Sequence, residues 1–297
     1  MFAQPPRLDA AVQRAYLDRL GLAPEQPSED ALRGLVRRHA EQVPYETLWI
    51  QAGEGWGIDP VESAERIARH GRGGYCYHLN GALGLLLSSL GYAVHGHVGG
   101  VHGAEGPAPA SRGNHLVLTV ELPPSEANPT GVWYVDAGLG DALHDPLPLL
   151  AGRHSQPPFA LTLEPSPDGS HWHLVHDPRG GFRGMVWDMA VAQWDDFRHQ
   201  HHRLSTSPDS GFVQVPMAER RDATGVDVVR GLVLSRIGDG ARSEQVTDRA
   251  AWFDALAQLF DLRLDGLEPE ARDRLWASAV AAHRRWLDEQ ASQAPAT

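Results

Sequence analysis

Near Tyr92 the hydrophobic pattern of this 297-residue chain changes its period. Before that point apolar residues recur at helical spacing. Val12, Tyr16, Leu17 and Leu20 precede Gly21, and Leu32, Leu35 and Val36 repeat the pattern over 31–40 behind a Ser28 cap with Glu29 and Asp30 in the first turn. Pro44 interrupts, a short mixed segment over 45–50 leads to a Gly-rich loop at 53–57, and two further helices are expected over 61–70 and 79–90. Beyond Tyr92, short runs rich in Val, Leu, Trp and Tyr alternate with Gly/Pro clusters at 93–98, 115–122, 132–136, 159–163, 172–175 and 184–189. Short strands punctuated by turn residues predict a small antiparallel sheet or barrel. After about His202 the pattern is mixed, with strands expected at 212–215 and 227–237 and helices at 250–260 and 268–286. The chain is therefore expected to be α+β, with helices first, strands second and a mixed third part.

Composition removes several functions. All 26 basic residues are arginines, so a Walker-type phosphate loop, a Schiff-base lysine and a Ser-Lys pair are excluded. A formal charge of −12 argues against a nucleic-acid partner, whose affinity depends on neutralising phosphates. The longest apolar-rich run, 79–90, is broken by Asn80, Gly81, Gly84, Ser88 and Ser89, so no membrane span is expected. Pro5, Pro6 and Asp9 stand where a secretory signal would be basic and then apolar, and the expected location is cytoplasmic. The single cysteine, Cys76, allows neither an internal disulfide nor a multi-cysteine zinc site.

Cys76 follows Gly71-Arg72-Gly73-Gly74-Tyr75 and precedes the periodic run Leu79, Leu83, Leu86, Leu87, Leu90, which Gly91 closes. Glycines there let the backbone turn and let a substrate approach. The thiol then sits in the first turn of a buried helix, where unpaired amides and the helix dipole favour a thiolate. Plain packing is an equal alternative, because Cys76 shares a stripe with Leu79 and Leu83.

A nucleophile needs a base, and the chain holds 16 histidines. The groups His171, His173, His176 and His199, His201, His202 lack an acidic or cysteine partner at a recognised zinc spacing, and are read as solvated surface residues; no metal is expected. His115 begins one expected strand, and Asp136 ends the next. Symmetric pairing around the 123–131 loop places them opposite one another, to within a residue or two. Each residue also has an ordinary alternative, His115 as a strand-end polar group and Asp136 as a turn cap. Together with Cys76 they form a coherent Cys-His-Asp relay.

The run Arg72-Gly73-Gly74-Tyr75-Cys76, closing with Leu79 and Asn80, resembles the active-site signature of the arylamine N-acetyltransferases. The resemblance continues through Val43-Pro44-Tyr45-Glu46-Thr47-Leu48, Asn114-His115-Leu116-Val117-Leu118, Val135-Asp136-Ala137-Gly138-Leu139-Gly140 and Ser207-Pro208-Asp209-Ser210-Gly211-Phe212. These blocks keep the family's order over roughly residues 10–265. The resemblance implies a helical bundle (1–92) carrying the cysteine, an antiparallel β-barrel (93–203) supplying His and Asp, and an α/β lid (204–297) with a disordered tail from Ala291. It implies ping-pong transfer from acetyl-CoA, the co-substrate, to a small-molecule aromatic amine or hydrazine. Cys76 would be the nucleophile, His115 the base and Asp136 the orienting acid.

The same resemblance pairs Arg72 with Glu46 beside the catalytic loop, with Asn80 as a further support. It places Gly138 and Gly140 where the pantetheine arm needs room, puts Tyr45, Tyr75, Leu139 and Phe212 around the acceptor, and draws the oxyanion hole from amides near Cys76. Ordinary core packing is the alternative for Tyr45 and Phe212. His78 replaces a glutamate common among bacterial members, so an altered shell around the catalytic loop is expected. Leu139 replaces a common phenylalanine, removing a stacking partner worth roughly 0.5–1.5 kcal/mol to a flat acceptor. Two other enzymes fit the same relay: an amide synthase acting on a carrier-bound polyketide, and a Cys-His-Asp hydrolase.

Overall fold

The computed structural model describes residues 7–293, so Pro5 and Pro6 of the leader argument lie outside it. The helices of the first third follow their sequence signals closely. α1 (Ala10–Leu20) is capped by Asp9 and ends at left-handed Gly21, and α2 (Glu29–Gln42) starts at Ser28, whose side chain accepts from the Ala31 N–H at 3.1 Å. Then come β1 (Tyr45–Glu46), α3 (Leu48–Ala52), α4 (Pro60–His70), with Asp59 as cap and Pro60 in the first turn, and α5 (Cys76–Ser89). α5 is apolar on nearly every side because it is enclosed, with α4 and α1 on one flank and the sheet on the other.

The sheet takes the order β5-β4-β3-β2-β9-β8-β7-β6, antiparallel throughout and curled into a nearly closed barrel. Its strands are β2 (Ala93–His102), β3 (His115–Glu121), β4 (Val132–Val135), β5 (Leu147–Pro148), β6 (Gly152–Gln156), β7 (Phe159–Pro165), β8 (His171–Val175) and β9 (Gly184–Val191). β3 is buried on both faces. Leu116, Leu118 and Val120 join the helical core with Leu83 and Leu86, while Val117 joins the barrel core with Tyr134, Leu161 and Trp187. Such a doubly covered strand reads as a continuous apolar run instead of an alternating one.

After α6 (Asp195–Thr206) and α7 (Gly211–Gln214), a second sheet forms in the order β1-β10-β11-β12-β13, with β10 (Met217–Arg221), β11 (Gly225–Arg230), β12 (Val233–Gly238) and β13 (Arg242–Gln245). β1 comes from the helical third and pairs antiparallel with β10, Tyr45 opposite Glu219 and Glu46 opposite Ala218. α8 (Arg249–Phe260) and α9 (Pro269–Gln293) cover this sheet through Trp252, Leu256, Phe260 and Leu275. No helix among the described residues is long and apolar enough to cross a membrane.

Four local expectations change. Residues 212–214 are helical and Val215 is the extended cap, because the Ser210 hydroxyl accepts from the Phe212 N–H at 3.3 Å and starts α7. Residues 227–237 are two strands, since left-handed Gly231 turns the chain back on itself. α6 was unforeseen because only Phe197 and Gln200 along it are buried, too few to make a visible stripe. The end of α9 runs through 291–293, where a disordered tail was expected; the rest of that tail lies outside the described residues.

Candidate active site

Cys76 is the first residue of α5, and the two glycines before it are sterically required. A Cβ on Gly73 would overlap the Pro44 carbonyl, and Gly74 holds φ +116° against the His78 ring. His78 is the third residue of the helix, and its Nδ1 accepts from the Tyr75 N–H at 3.3 Å. That is the position from which Glu or Gln ordinarily closes a capping box. Its Nε2 donates to the Gly57 carbonyl at 3.0 Å, and burial holds the imidazole well below its ordinary value, hence neutral. The expected change around the catalytic loop is thus a change of capping group.

His115 opens β3, and its Nε2 lies 2.8 Å from Asp136 Oδ2. β3 and β4 pair with Leu118 opposite Val135 and Thr119 opposite Tyr134. Extended by one residue, that register sets Asp136 across from Val117, two residues from the pairing expected. His115 and Asp136 are therefore diagonal neighbours on one face, still within side-chain reach. Cys76 lies close enough to the imidazole to act on its charge, and the two residues line one cavity. Burial by itself would lower the imidazole, but Asp136 and Cys76 raise it to about 10.

Asp136 is fully engaged. Oδ2 also accepts from the Tyr134 hydroxyl at 3.0 Å, and Oδ1 accepts from Asn80 Nδ2 at 2.7 Å and the Gly138 N–H at 2.9 Å. Asn80 stands one turn after Cys76 on α5, so both project to one side. Its Nδ2 also donates to the Leu116 carbonyl at 2.6 Å and its Oδ1 accepts from the Ala137 N–H at 2.8 Å, tying α5, β3 and the turn after β4 together. Beneath the loop, Arg72 makes a two-point pair with fully buried Glu46 at 2.6 and 3.2 Å, adds Glu54 at 3.1 Å and lies over Trp56.

Cys76 opens onto a cavity of about 250 Å³. Tyr45, Gly138, Leu139 and Phe212 are in its wall. Tyr75 is not; it is buried beneath the wall, its ring edge-on to Phe212 and its hydroxyl bonded to His201 Nδ1. Gly138 is needed for contact, because a Cβ there would lie 2.6 Å from Cys76 Cα and 2.9 Å from Asn80 Nδ2. Gly140 is not in the wall, and the space a side chain would take is filled by Glu219 Oε2.

Two of the histidines read as solvated are not. His176 is buried and bonded to Asp141 at 3.1 Å, and His201 is packed among Trp49, Tyr75 and Tyr77. No cluster of three or more His, Cys, Asp or Glu among the described residues could hold a metal ion.

Asn114, Met217, Glu219 and Arg230 also line the cavity and were not anticipated. The Asn114 side chain pairs with both backbone groups of Val101, which leaves its carbonyl facing Cys76 Sγ at 3.5 Å. Alternation at Met217 and Glu219 was a usable signal, weakened by the charged run 219–221.

A thiol beside an imidazole that a carboxylate orients can attack an acyl carbonyl and hold the acyl group as a thioester. Comparison with known proteins leads the same way. The sequence model of the N-acetyltransferase family matches residues 29–268. The arylamine N-acetyltransferase of Mycolicibacterium smegmatis is 30% identical over 274 residues, which is 85% of this chain and 92% of that one. That of Mycobacterium tuberculosis is 29% identical over 267 residues, covering 84% and 89%. Among solved structures, the Mycobacterium marinum arylamine N-acetyltransferase in complex with CoA superposes with a TM-score of 0.78 at 27% identity, over 90% of this chain and 98% of that one.

Proposed function

We propose, from the premise that this chain belongs to the arylamine N-acetyltransferase family, that it carries an acetyl group from acetyl-CoA to an aromatic amine or hydrazine through a thioester on Cys76. The observation that carries the reading is the placement of Cys76 and His115 together in the wall of one cavity, with His115 bonded to Asp136 at 2.8 Å. His115 takes the thiol proton, and the thiolate attacks the acetyl carbonyl. As the new C–S bond forms, the bond to the coenzyme sulfur breaks and His115 returns a proton to that sulfur. The acceptor amine then attacks acetyl-Cys76, its proton passes to His115, and the thiolate is regenerated. Asp136 keeps the ring oriented and stabilises its charged form throughout.

A cavity of about 250 Å³ is at the small end of ligand sites. It suits an acetyl group and one aromatic ring better than the long chain an amide synthase would handle.

Intact-mass spectrometry after incubation with acetyl-CoA tests the proposal. One added acetyl group is expected, absent in Cys76→Ala and discharged when an arylamine is supplied. An adduct that persists in Cys76→Ala, or that water removes as fast as an amine does, overturns it.

A further inference from the structure

The cavity beside Cys76 contains a carboxyl group for which the transfer reaction has no use. Glu219 faces Tyr45 across the β1–β10 pair, and both residues line the cavity. Its Oε2 packs against Gly140, two residues beyond the glycine that touches Cys76. Glu219 is only 9% exposed, yet among the described residues its carboxyl makes no hydrogen bond or ion pair. The hydroxyl of buried Tyr45 is equally without a partner. Neither group is sealed off: both line the cavity, where water or a bound molecule can meet them, and a carboxyl so placed still needs a donor.

The other charges around the cavity do not meet this need. Asp141 is occupied, accepting from His176 Nε2 at 3.1 Å and from the Gly181 N–H at 2.6 Å. Arg230 is exposed at the end of β11 and touches Met217 Sδ at 4.0 Å. Burial, reinforced by Asp141, holds the Glu219 carboxyl well above the usual carboxylate range, and Arg230 pulls it the other way. The missing partner is therefore a group that brings both N–H donors and positive charge. A cation entering beside Glu219 favours its ionised form, and the pair so made is screened by solvent less than one made by the exposed Arg230.

We infer that Glu219 selects the acceptor: it receives an ammonium or amidinium substituent on the aromatic amine, with Tyr45 beside it, while the nucleophilic amine reaches Cys76. The inference rests on the acetyl-transfer reading above and narrows its substrate class to basic arylamines. Leu139 and Phe212 supply the apolar wall for the ring, and no second acidic contact is required.

Three acceptors that share an aniline nitrogen and differ only beyond one methylene decide the matter: 4-aminobenzylamine (cationic), 4-aminobenzyl alcohol (neutral) and 4-aminophenylacetate (anionic). Discharge of acetyl-Cys76 is expected to favour the cation over the anion by at least about tenfold in kcat/KM, mainly through KM, as a charge-assisted contact implies. In Glu219→Gln the preference is expected to fall to near unity. Equal rates for the three acceptors in the wild type, or a preference that survives in Glu219→Gln, overturns the inference.

Protection of Cys76 from iodoacetamide provides a second measurement on the wild-type chain that needs neither the variant nor acetyl transfer. Benzamidine is expected to protect at a concentration at least about tenfold below benzoate. Equal protection counts against Glu219 whatever acetyl-CoA does, whereas absence of an acetyl adduct with benzamidine-selective protection counts against the transfer reaction alone.

Discussion

Asp136 meets His115 diagonally across the β3–β4 pair, and every remaining lone-pair direction of its carboxylate faces a donor. Three donors besides His115, the Tyr134 hydroxyl, Asn80 Nδ2 and the Gly138 N–H, hold the acid in place. Asp136→Asn would turn an amide N–H toward groups that themselves donate, the Tyr134 hydroxyl or Asn80 and Gly138. A folded protein with kcat reduced by about 10³–10⁴ is expected. Circular dichroism and single-turnover acetylation check this together; near-normal turnover would make Asp136 a turn residue only.

Asn80 joins three elements and touches no reacting atom in the proposed mechanism, so it is a positioning residue. Asn80→Ala leaves the Leu116 carbonyl and the Ala137 N–H without their partner and frees one side of Asp136. Loss of about 1–3 kcal/mol is expected. The acetylation rate should fall while the KM for acetyl-CoA changes little, a split that stopped-flow acetylation and urea unfolding can read.

Arg72→Met retains much of the side-chain volume but strands the fully buried Glu46 carboxylate. Removing one partner of a buried pair costs about 3–5 kcal/mol. Unfolding at a much lower urea concentration is therefore expected, and Arg72→Met combined with Glu46→Leu should recover part of the loss. A single variant as stable as the parent would show that the buried Glu46 carboxyl does not depend on the guanidinium.

The His115 imidazole, though burial opposes its charge, is raised to about 10 by Asp136 and Cys76, against an ordinary value of about 6.5. A group raised on folding adds stability that is fully present below the unfolded value and is lost as pH rises through the folded one. The folding free energy is therefore expected to decline between about pH 6.5 and 10 by more in the wild type than in His115→Gln. Urea titrations of both proteins across that window check it, and parallel curves would remove the charged imidazole from the resting state.

Much of the scaffold was legible locally. Ser28 marks a helix start within one turn of itself, Gly21 and Gly91 mark ends, and the period of the apolar residues distinguishes 79–90 from 159–163. The Cys76 loop was legible for the same reason, since its glycines answer to the neighbouring Pro44 carbonyl and His78 ring. His115 and Asp136 could be brought together from hairpin symmetry, with a two-residue error that a longer side-chain reach absorbed.

What could not be read were the positions whose meaning comes from distant chain. Arg221 is a charge in a charged run, yet it is buried because Gln156 and Pro157 offer carbonyls to its guanidinium from another sheet. Tyr75 is one residue from Cys76 but faces away from the cavity, toward His201 on α6. Glu219 looks solvated until β1, drawn from the opposite end of the sequence, sets Tyr45 against it and closes the cavity around both. Caps, periods and tight turns depend on contacts within a few residues, so the sequence by itself determined them. Burial of a polar side chain depends on partners dozens or hundreds of residues away, and only the tertiary structure decided which of these groups would be paired and which would face the cavity.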